Sequence, residues 1–259
     1  MKTIALLTDF GVGEYVGIMK GVILKTIKSP VNIVDIKHDI EPQNILQASW
    51  ILSTCVNYFP EDTIYVCVVD PGVGGDRADL LIQTKTATFI GPNNGLFTHT
   101  LKQNNFDILH VYSLHSKTSS ATFHGRDVFS LSAAQFANGD VINATEIPFQ
   151  EIVYLNISNN TQDTIHIVSI DTFGNLISDT PTSSFTHNQL ASLKSLEQFK
   201  TGQISDVAFV KTYEEGAKHN IALILLEGSN NTLEVSKVNG SAARLLSVTI
   251  GETLKLHFL

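Results

Sequence analysis

Long apolar runs are missing from this 259-residue chain, and so is any excess of positive charge. No stretch is long enough to cross a bilayer, which takes about 20 apolar residues as a helix. The opening, Met1 to Leu7, starts like a signal peptide, but its apolar run stops at Thr8-Asp9 and no small-residue cleavage site follows. A cytoplasmic location is therefore expected. Lys and Arg number 17 against 25 Asp and Glu, a formal net charge of -8 at pH 7. So acidic a chain offers little to a phosphate backbone, which speaks against nucleic acid and suits a small cationic substrate. Charged residues make up only 16% and hydrophobic ones 43%. That excludes a disordered or coiled-coil chain and leaves room for one large domain or two unequal ones. There are only two cysteines. Cys67 sits inside the apolar run Tyr65–Val69 and Cys55 in a helical pattern, so both read as buried free thiols.

What is present is an alternation of strand and helix signals. Ile4–Thr8 is a short apolar run that ends in the turn Asp9-Phe10-Gly11-Val12-Gly13. Tyr15–Ile27 has helical periodicity, Val31–Ile36 is a second strand, and Pro42 precedes a helix from Asn44 to Tyr58. Thr63–Val69 is a third strand, ending at Asp70-Pro71-Gly72. Repeated strand–helix–strand units predict a mostly parallel sheet with helices on both faces. Ligands of such sheets sit outside the carboxyl ends of the strands, where Asp9 and Asp70 both stand. Phe89–Leu96 reads as a strand, a tight turn and a helix start. Phe123–Asp127 precedes a helix to Asn138 with Val128, Leu131 and Phe136 on its apolar face.

Beyond residue 155 the pattern changes to short strand-like runs at Ile165–Ile170, Asp206–Val210, Ile221–Leu226, Leu233–Val238 and Thr253–Phe258. Turn-rich stretches such as Gly228 to Asn231 separate them, which predicts a small antiparallel barrel or sandwich. The polar segment Asn156–Gln162 marks the boundary, giving domains over 1–157 and 158–259.

Most catalytic signatures are absent. No Walker ending follows the glycines of Asp70-Pro71-Gly72-Val73-Gly74-Gly75, no GxGxxG occurs, and there is no nucleophile elbow. His38, His99, His110 and His187 have no metal-ligand spacing, so no metal site is expected. Single residues are ambiguous. Asp9 either caps the next helix or accepts from the vicinal hydroxyls of a ribose. His124 is either a structural residue or a catalyst, and Asp127 is explained by the helix dipole.

The combination is far more specific than its parts. Leu7-Thr8-Asp9-Phe10-Gly11, Val69-Asp70-Pro71-Gly72-Val73-Gly74, Gly91-Pro92-Asn93-Asn94-Gly95-Leu96, Thr122-Phe123-His124-Gly125-Arg126-Asp127 and Asp171-Thr172-Phe173-Gly174-Asn175 occur in that order. This series resembles the S-adenosylmethionine (SAM) hydroxide adenosyltransferase family, relatives of the fluorinases and chlorinases, over nearly the whole chain. The resemblance implies an N-terminal α/β sandwich domain, a smaller C-terminal antiparallel β-barrel, and a homotrimer with active sites at subunit interfaces. It implies hydrolysis of SAM to adenosine and methionine, with no cofactor beyond the substrate.

Residue by residue, the resemblance makes Asp70, Arg77 and His124 the water-activating trio. Asp9 becomes the ribose-binding carboxylate, and Glu14 stands near the methionine amine. Asp171 and Asn175 contact the methionine and adenine parts, Phe173 stacks on adenine, and Tyr213 is a second stacking candidate. Ser229 lies at the methionine end and Ala242 at a backbone contact to adenine. Phe123 and Phe173 supply apolar walls. Either Asp70 or His124 takes the proton of water, the strand-end position favouring Asp70.

Halogenating relatives carry Tyr-Pro in place of Asp70-Pro71, Tyr-Ser in place of His124-Gly125, Arg in place of Asn230, and an extra loop after the third strand. A SAM-dependent halide transferase is therefore the lesser alternative. A non-catalytic SAM- or nucleoside-binding protein is the other, against which the charged trio argues.

Overall fold

The strand–helix alternation is realised in a computed structural model that describes residues 1–115, 120–157, 163–218 and 222–259. The chain divides into two units, Met1–Asn156 and Ile157–Leu259. The first holds β1 (Lys2–Thr8), α1 (Glu14–Thr26), β2 (Val31–Lys37), α2 (Ile45–Cys55) and β3 (Thr63–Val68). They are followed by β4 (Asp79–Thr84), β5 (Ala87–Pro92), α3 (Thr98–Gln103), β6 (Ile108–Leu114), a π-helical turn over Gly125–Ser130, α4 (Leu131–Asn138) and β7 (Ala144–Glu146).

These strands form one sheet in the order β2-β1-β3-β5-β4-β6-β7. β2, β1, β3 and β5 run parallel. β4, β6 and β7 extend the sheet antiparallel, which the strand–helix alternation did not foresee. The reason lies in the connections. β4 and β5 are separated by two residues, a hairpin length that cannot carry a parallel crossover.

Side-chain alternation explains the layers. Ile4 and Leu6 of β1 pack with Val16, Met19 and Ile23 of α1 and with Ala133 and Ala134 of α4. Ala5 and Leu7 face the other way, onto Ala48 and Leu52 of α2. Both faces are covered, so β1 and β3 read as nearly continuous apolar runs. The chain leaves β1 toward β2 on one side and returns to β3 on the other. The order therefore switches between β1 and β3, and a crevice opens at their carboxyl ends.

The helix after residue 123 departs from the simple 3.6-residue pattern. Val128 is buried and Phe136 packs against the core, but Leu131 stays outside it while Phe129, Ala133 and Ala134 enter. The π-helical turn adds a residue to the local period and rotates the apolar face past Leu131. The Ser130 hydroxyl donates to the Gly125 carbonyl at 2.7 Å within that turn.

The second unit holds β8 (Thr164–Ile170), β9 (Leu176–Pro181), α5 (His187–Ala191), β10 (Leu193–Gln198) and β11 (Ile204–Phe209). It continues with α6 (Tyr213–Lys218), β12 (Leu223–Glu227), β13 (Thr232–Ser236), α7 (Ala242–Leu246) and β14 (Thr253–Phe258). Seven strands close a barrel in the order β10-β11-β12-β13-β9-β8-β14. Alternate residues fill it, among them Ile165 and Ile167, Leu223 and Leu225, Leu233 and Val235, and Leu254 and Leu256. All neighbours are antiparallel except β11 and β12, where α6 supplies the crossover that a parallel pair needs. Ile221 and the linker residues 158–162, read above as strand start and boundary, lie outside the described residues. Both cysteines are free; Cys67 is fully buried, but Cys55 at the end of α2 is only partly so. Among the described residues no helix is long and apolar enough to cross a membrane.

Candidate active site

The crevice at the ends of β1 and β3 is a cleft of about 440 Å³, lined among others by Asp9, Tyr15, Gln43, Asp70, Phe123 and His124. Its floor is fixed by backbone detail. Thr8 Oγ1 pairs with His38 Nδ1 at 2.8 Å and accepts from the Phe10 amide, while the Gly11 amide donates to the His38 carbonyl at 2.7 Å. Asp9 Oδ2 then accepts from the Gln43 amide at 2.8 Å. It does not cap α1, whose N-cap is Gly13 without a side-chain bond. The helix-cap reading of Asp9 is thus replaced by a link across to the loop before α2. Phe10, Tyr15 and Phe123 form a mutual ring cluster with centroids 5.3–5.9 Å apart, the apolar wall of the cleft.

The loop after β3 brings the charges together. Gly74 has φ +76°, and a Cβ there would come within 2.2 Å of the Ala121 carbonyl oxygen. Only glycine lets this loop lie against the segment that leads to His124. Arg77 donates through Nε to Asp70 Oδ1 at 2.9 Å and through Nη2 to Asp70 Oδ2, a bidentate pair. Its Nη1 donates to Asp79 Oδ1. Asp70, Arg77, Asp79 and His124 side chains are 4–12% exposed. Burial alone would lower the Arg77 pKa, but Asp70 and Asp79 more than offset it and hold the guanidinium above its ordinary value.

His124 is held through Nδ1, 3.0 Å from Asp79 Oδ2 and 3.2 Å from Arg77 Nη2. A guanidinium can only donate and a carboxylate can only accept, so the two neighbours demand opposite tautomers. Asp70 accepts one of the two Arg77 Nη2 protons, so that nitrogen is bonded without His124. An unprotonated Nδ1 would set its lone pair against the Asp79 carboxylate with nothing between them. The protonated Nδ1, donating to Asp79, is the consistent state, and it leaves Nε2 as the basic atom of a ring that lines the cleft. With His124 neutral, two carboxylates and one guanidinium give the group a net negative charge.

Asp79 was not among the residues read from the sequence. The available signal was an acidic residue opening an apolar strand, two positions after Arg77. Asp127 accepts from the Ser120 amide at 2.8 Å and pairs with Arg126. It organises the loop before His124 instead of lining the cleft.

The barrel unit carries a second cavity, about 920 Å³, lined among others by Asp171, Phe173, Asn175, Tyr213 and Glu234. Asp171 Oδ1 accepts from the amides of Phe173 and Asn175, both at 2.9 Å, so the β8–β9 turn is built around its carboxylate. Gly174 in that turn has φ +84°, and a Cβ there would strike the Ser241 side chain. Phe173 is left 77% exposed at the cavity. Among the described residues no group of three His, Cys, Asp or Glu could hold a metal ion.

The N-terminal domain of SAM hydroxide adenosyltransferases matches residues 4–146, and the C-terminal domain matches residues 165–255. The chain belongs to this family. The (R)-S-adenosyl-L-methionine hydrolase of Methanocaldococcus jannaschii is 34% identical over all of this chain and 97% of its own length. A fluorinase of Nocardia brasiliensis is 24% identical over 52% of this chain and 54% of its own. A crystal structure of an uncharacterized conserved protein from Thermotoga maritima superposes with a TM-score of 0.84 at 27% identity, covering 98% and 99% of the two chains.

The family resemblance can now be set against position. The N-terminal cleft gathers Asp9, Asp70, Phe123 and His124 as lining residues, with Arg77 paired to Asp70. Glu14 opens α1 and is exposed, outside the cleft lining. The barrel cavity gathers Asp171, Phe173, Asn175 and Tyr213. Ser229 lies exposed in the β12–β13 turn, and Ala242 is fully buried at the start of α7; neither lines the cavity, although Ser241 and Ala243 do.

Proposed function

We propose that this protein is a hydrolase that cleaves SAM between the ribose 5′ carbon and sulfur, releasing adenosine and methionine. The observation that carries the reading is the buried Asp70–Arg77–Asp79–His124 group at the switch point of the sheet. Displacement at that carbon needs no acid, because the sulfonium leaves as a neutral thioether, and it needs no metal or redox cofactor. It needs a nucleophile in line with the bond. His124 Nε2 takes a proton from water, the water oxygen bonds to the 5′ carbon, and the carbon–sulfur pair returns to sulfur. Asp79 holds the ring and balances the imidazolium that forms, as the carboxylate of a catalytic triad does. Asp70 was the sequence-based choice of base, but both its oxygens accept from Arg77. Asp70 and Arg77 are therefore assigned to placing the water and its developing charge.

The net negative group suits a cationic sulfonium and repels an anion. A halide entering the cleft would meet Asp9 and Asp70, which disfavours halide transfer. Binding adenosine alone would not call for a buried guanidinium, which disfavours a passive nucleoside binder. Asp9 accepts from the ribose hydroxyls, Glu14 and Ser229 serve the methionine end, and Phe173 and Ala242 serve adenine. The residues of the two units meet across the interfaces of a homotrimer, in which each head-to-tail contact repeats identically. Two free thiols fit a reducing compartment, and we assign the cytoplasm.

Incubation with SAM in oxygen-18 water tests the reading. The label should appear in adenosine and not in methionine; methylthioadenosine or homoserine as product would overturn it. Assembly is tested by co-refolding inactive Asp70→Ala and Asn175→Ala chains at equal amounts. Random assortment should restore about a quarter of parental activity. Trimers that stay inactive would place each site within one chain.

A further inference from the structure

In the barrel unit a buried carboxylate has no cation. Glu234 on β13 is 8% exposed, and among the described residues no Lys or Arg lies within ion-pair distance of it. Its Oε1 accepts from the Tyr213 hydroxyl and from Ser236 Oγ, the latter at 2.7 Å. The Tyr213 hydroxyl has one proton. With that proton given to Glu234, the phenol oxygen is left as an acceptor, and Asn175 Nδ2 donates to it at 3.2 Å. The other Nδ2 proton goes to Asp171 Oδ2 at 2.8 Å. Both amide protons are thus committed, one to a carboxylate and one to a phenol whose own proton a second carboxylate holds. Asn175 is 7% exposed and lines the cavity, so what it offers a ligand is Oδ1.

We propose that Glu234 determines specificity. Through Tyr213 it locks the Asn175 amide with its oxygen toward the ligand, so that the cavity accepts a purine carrying a 6-amino group and rejects a 6-oxo purine. The inference rests on reading this cavity as the nucleoside end of the site. A 6-amino group donates to Oδ1, whereas a 6-oxo group sets oxygen against oxygen and leaves two acceptors unpaired. A free Asn would turn over and serve either purine. Here, turning it would aim Oδ1 at the Asp171 carboxylate and at a phenol with no proton to give. Polar sites fixed in this way discriminate far more strongly than apolar pockets do. Glu234 is a positioning residue, since it acts through Tyr213 and Asn175.

Calorimetric titration of adenosine, inosine and purine riboside, which lacks any 6-substituent, tests this on wild type, Glu234→Gln and Tyr213→Phe. The Gln side chain can donate to the phenol and so reverse the chain of bonds; Phe removes the link at a half-exposed ring that the fold tolerates. Wild type should prefer adenosine to inosine by about 100-fold or more, and each variant should shrink that ratio by about tenfold. Purine riboside affinity should change by less than about threefold, since it makes no bond at that position. An unchanged adenosine-to-inosine ratio in both variants would reject the lock. So would a loss of purine riboside affinity equal to that of adenosine, which would mean Glu234 supports the shape of the cavity and not its polarity. Wild type that binds none of the three nucleosides would overturn the nucleoside reading itself.

Discussion

Asp9 apart, the carboxylates at the two sites are satisfied in opposite ways. In the α/β unit, Asp70 and Asp79 share a guanidinium, and Asp79 also faces an imidazole. In the barrel unit, Asp171 and Glu234 accept from backbone amides, an Asn, a Ser and a Tyr, all neutral. A carboxylate paired with a cation can answer a charge that appears during a reaction. One held by neutral donors fixes the direction of those donors and so reads shape and polarity. On the function proposed above, the difference separates the group that does chemistry from the group that recognises.

The sharpest way to break this comparison is to disable the first group. His124→Ala and Asp70→Asn should each lower kcat by about a hundredfold or more, with SAM affinity within about tenfold of wild type. Steady-state kinetics beside calorimetric binding would check it. Near-normal turnover in His124→Ala would return the base role to Asp70. Next in size is Asp9→Ala, which should weaken adenosine by about 2–3 kcal/mol, the loss of a charged acceptor for two hydroxyls. It should weaken 2′,3′-dideoxyadenosine far less, and equal losses would leave Asp9 only its bond to Gln43.

Asp79→Asn sharpens the comparison within the first group. It should lower kcat by roughly tenfold while KM stays nearly level, because the ring loses its orientation but substrate contacts remain. The nitrogen-15 spectrum of His124 should show the proton on Nδ1 in wild type and a mixture of tautomers in the variant. The smallest effect belongs to the neutral network. Burial, with Glu234 beside it, pushes the Tyr213 phenol up to about 12. Native protein therefore keeps a proton that the unfolded chain loses above about pH 10. Stability from this source is whole below pH 10 and falls as pH rises toward 12. Tyr213→Phe should flatten that decline slightly, since the ring is half exposed, and denaturation at stepped pH would show it.

Much of the α/β unit was legible because burial on both faces writes itself as apolar runs, as in Ile4–Thr8 and Thr63–Val69. Asp9 and Asp70 were legible for a related reason: a polar residue ending a buried strand stands where such sheets bind ligands. The hairpin β4–β5 and the strand β10 were harder to see. β4 opens with Asp79 and β10 mixes Lys194, Ser195 and Glu197 with two leucines, so neither stands out from its surroundings. Leu131 was misplaced because a π-helical turn changes the period at a point where no residue type announces it.

By itself, then, the sequence determined the leading strand–helix alternation, the two-part organisation and the family. It also picked out the residues whose types and neighbours mark a site. Those follow from local patterning, which survives in one dimension. Only the tertiary structure decided which carboxylate Arg77 shares with His124, which nitrogen of that ring faces Asp79, and which way the Asn175 amide points. Each depends on the direction of a proton between groups 2 to 47 positions apart in the chain. Hydrogen-bond direction is set by geometry in space, and no spacing along the sequence carries it.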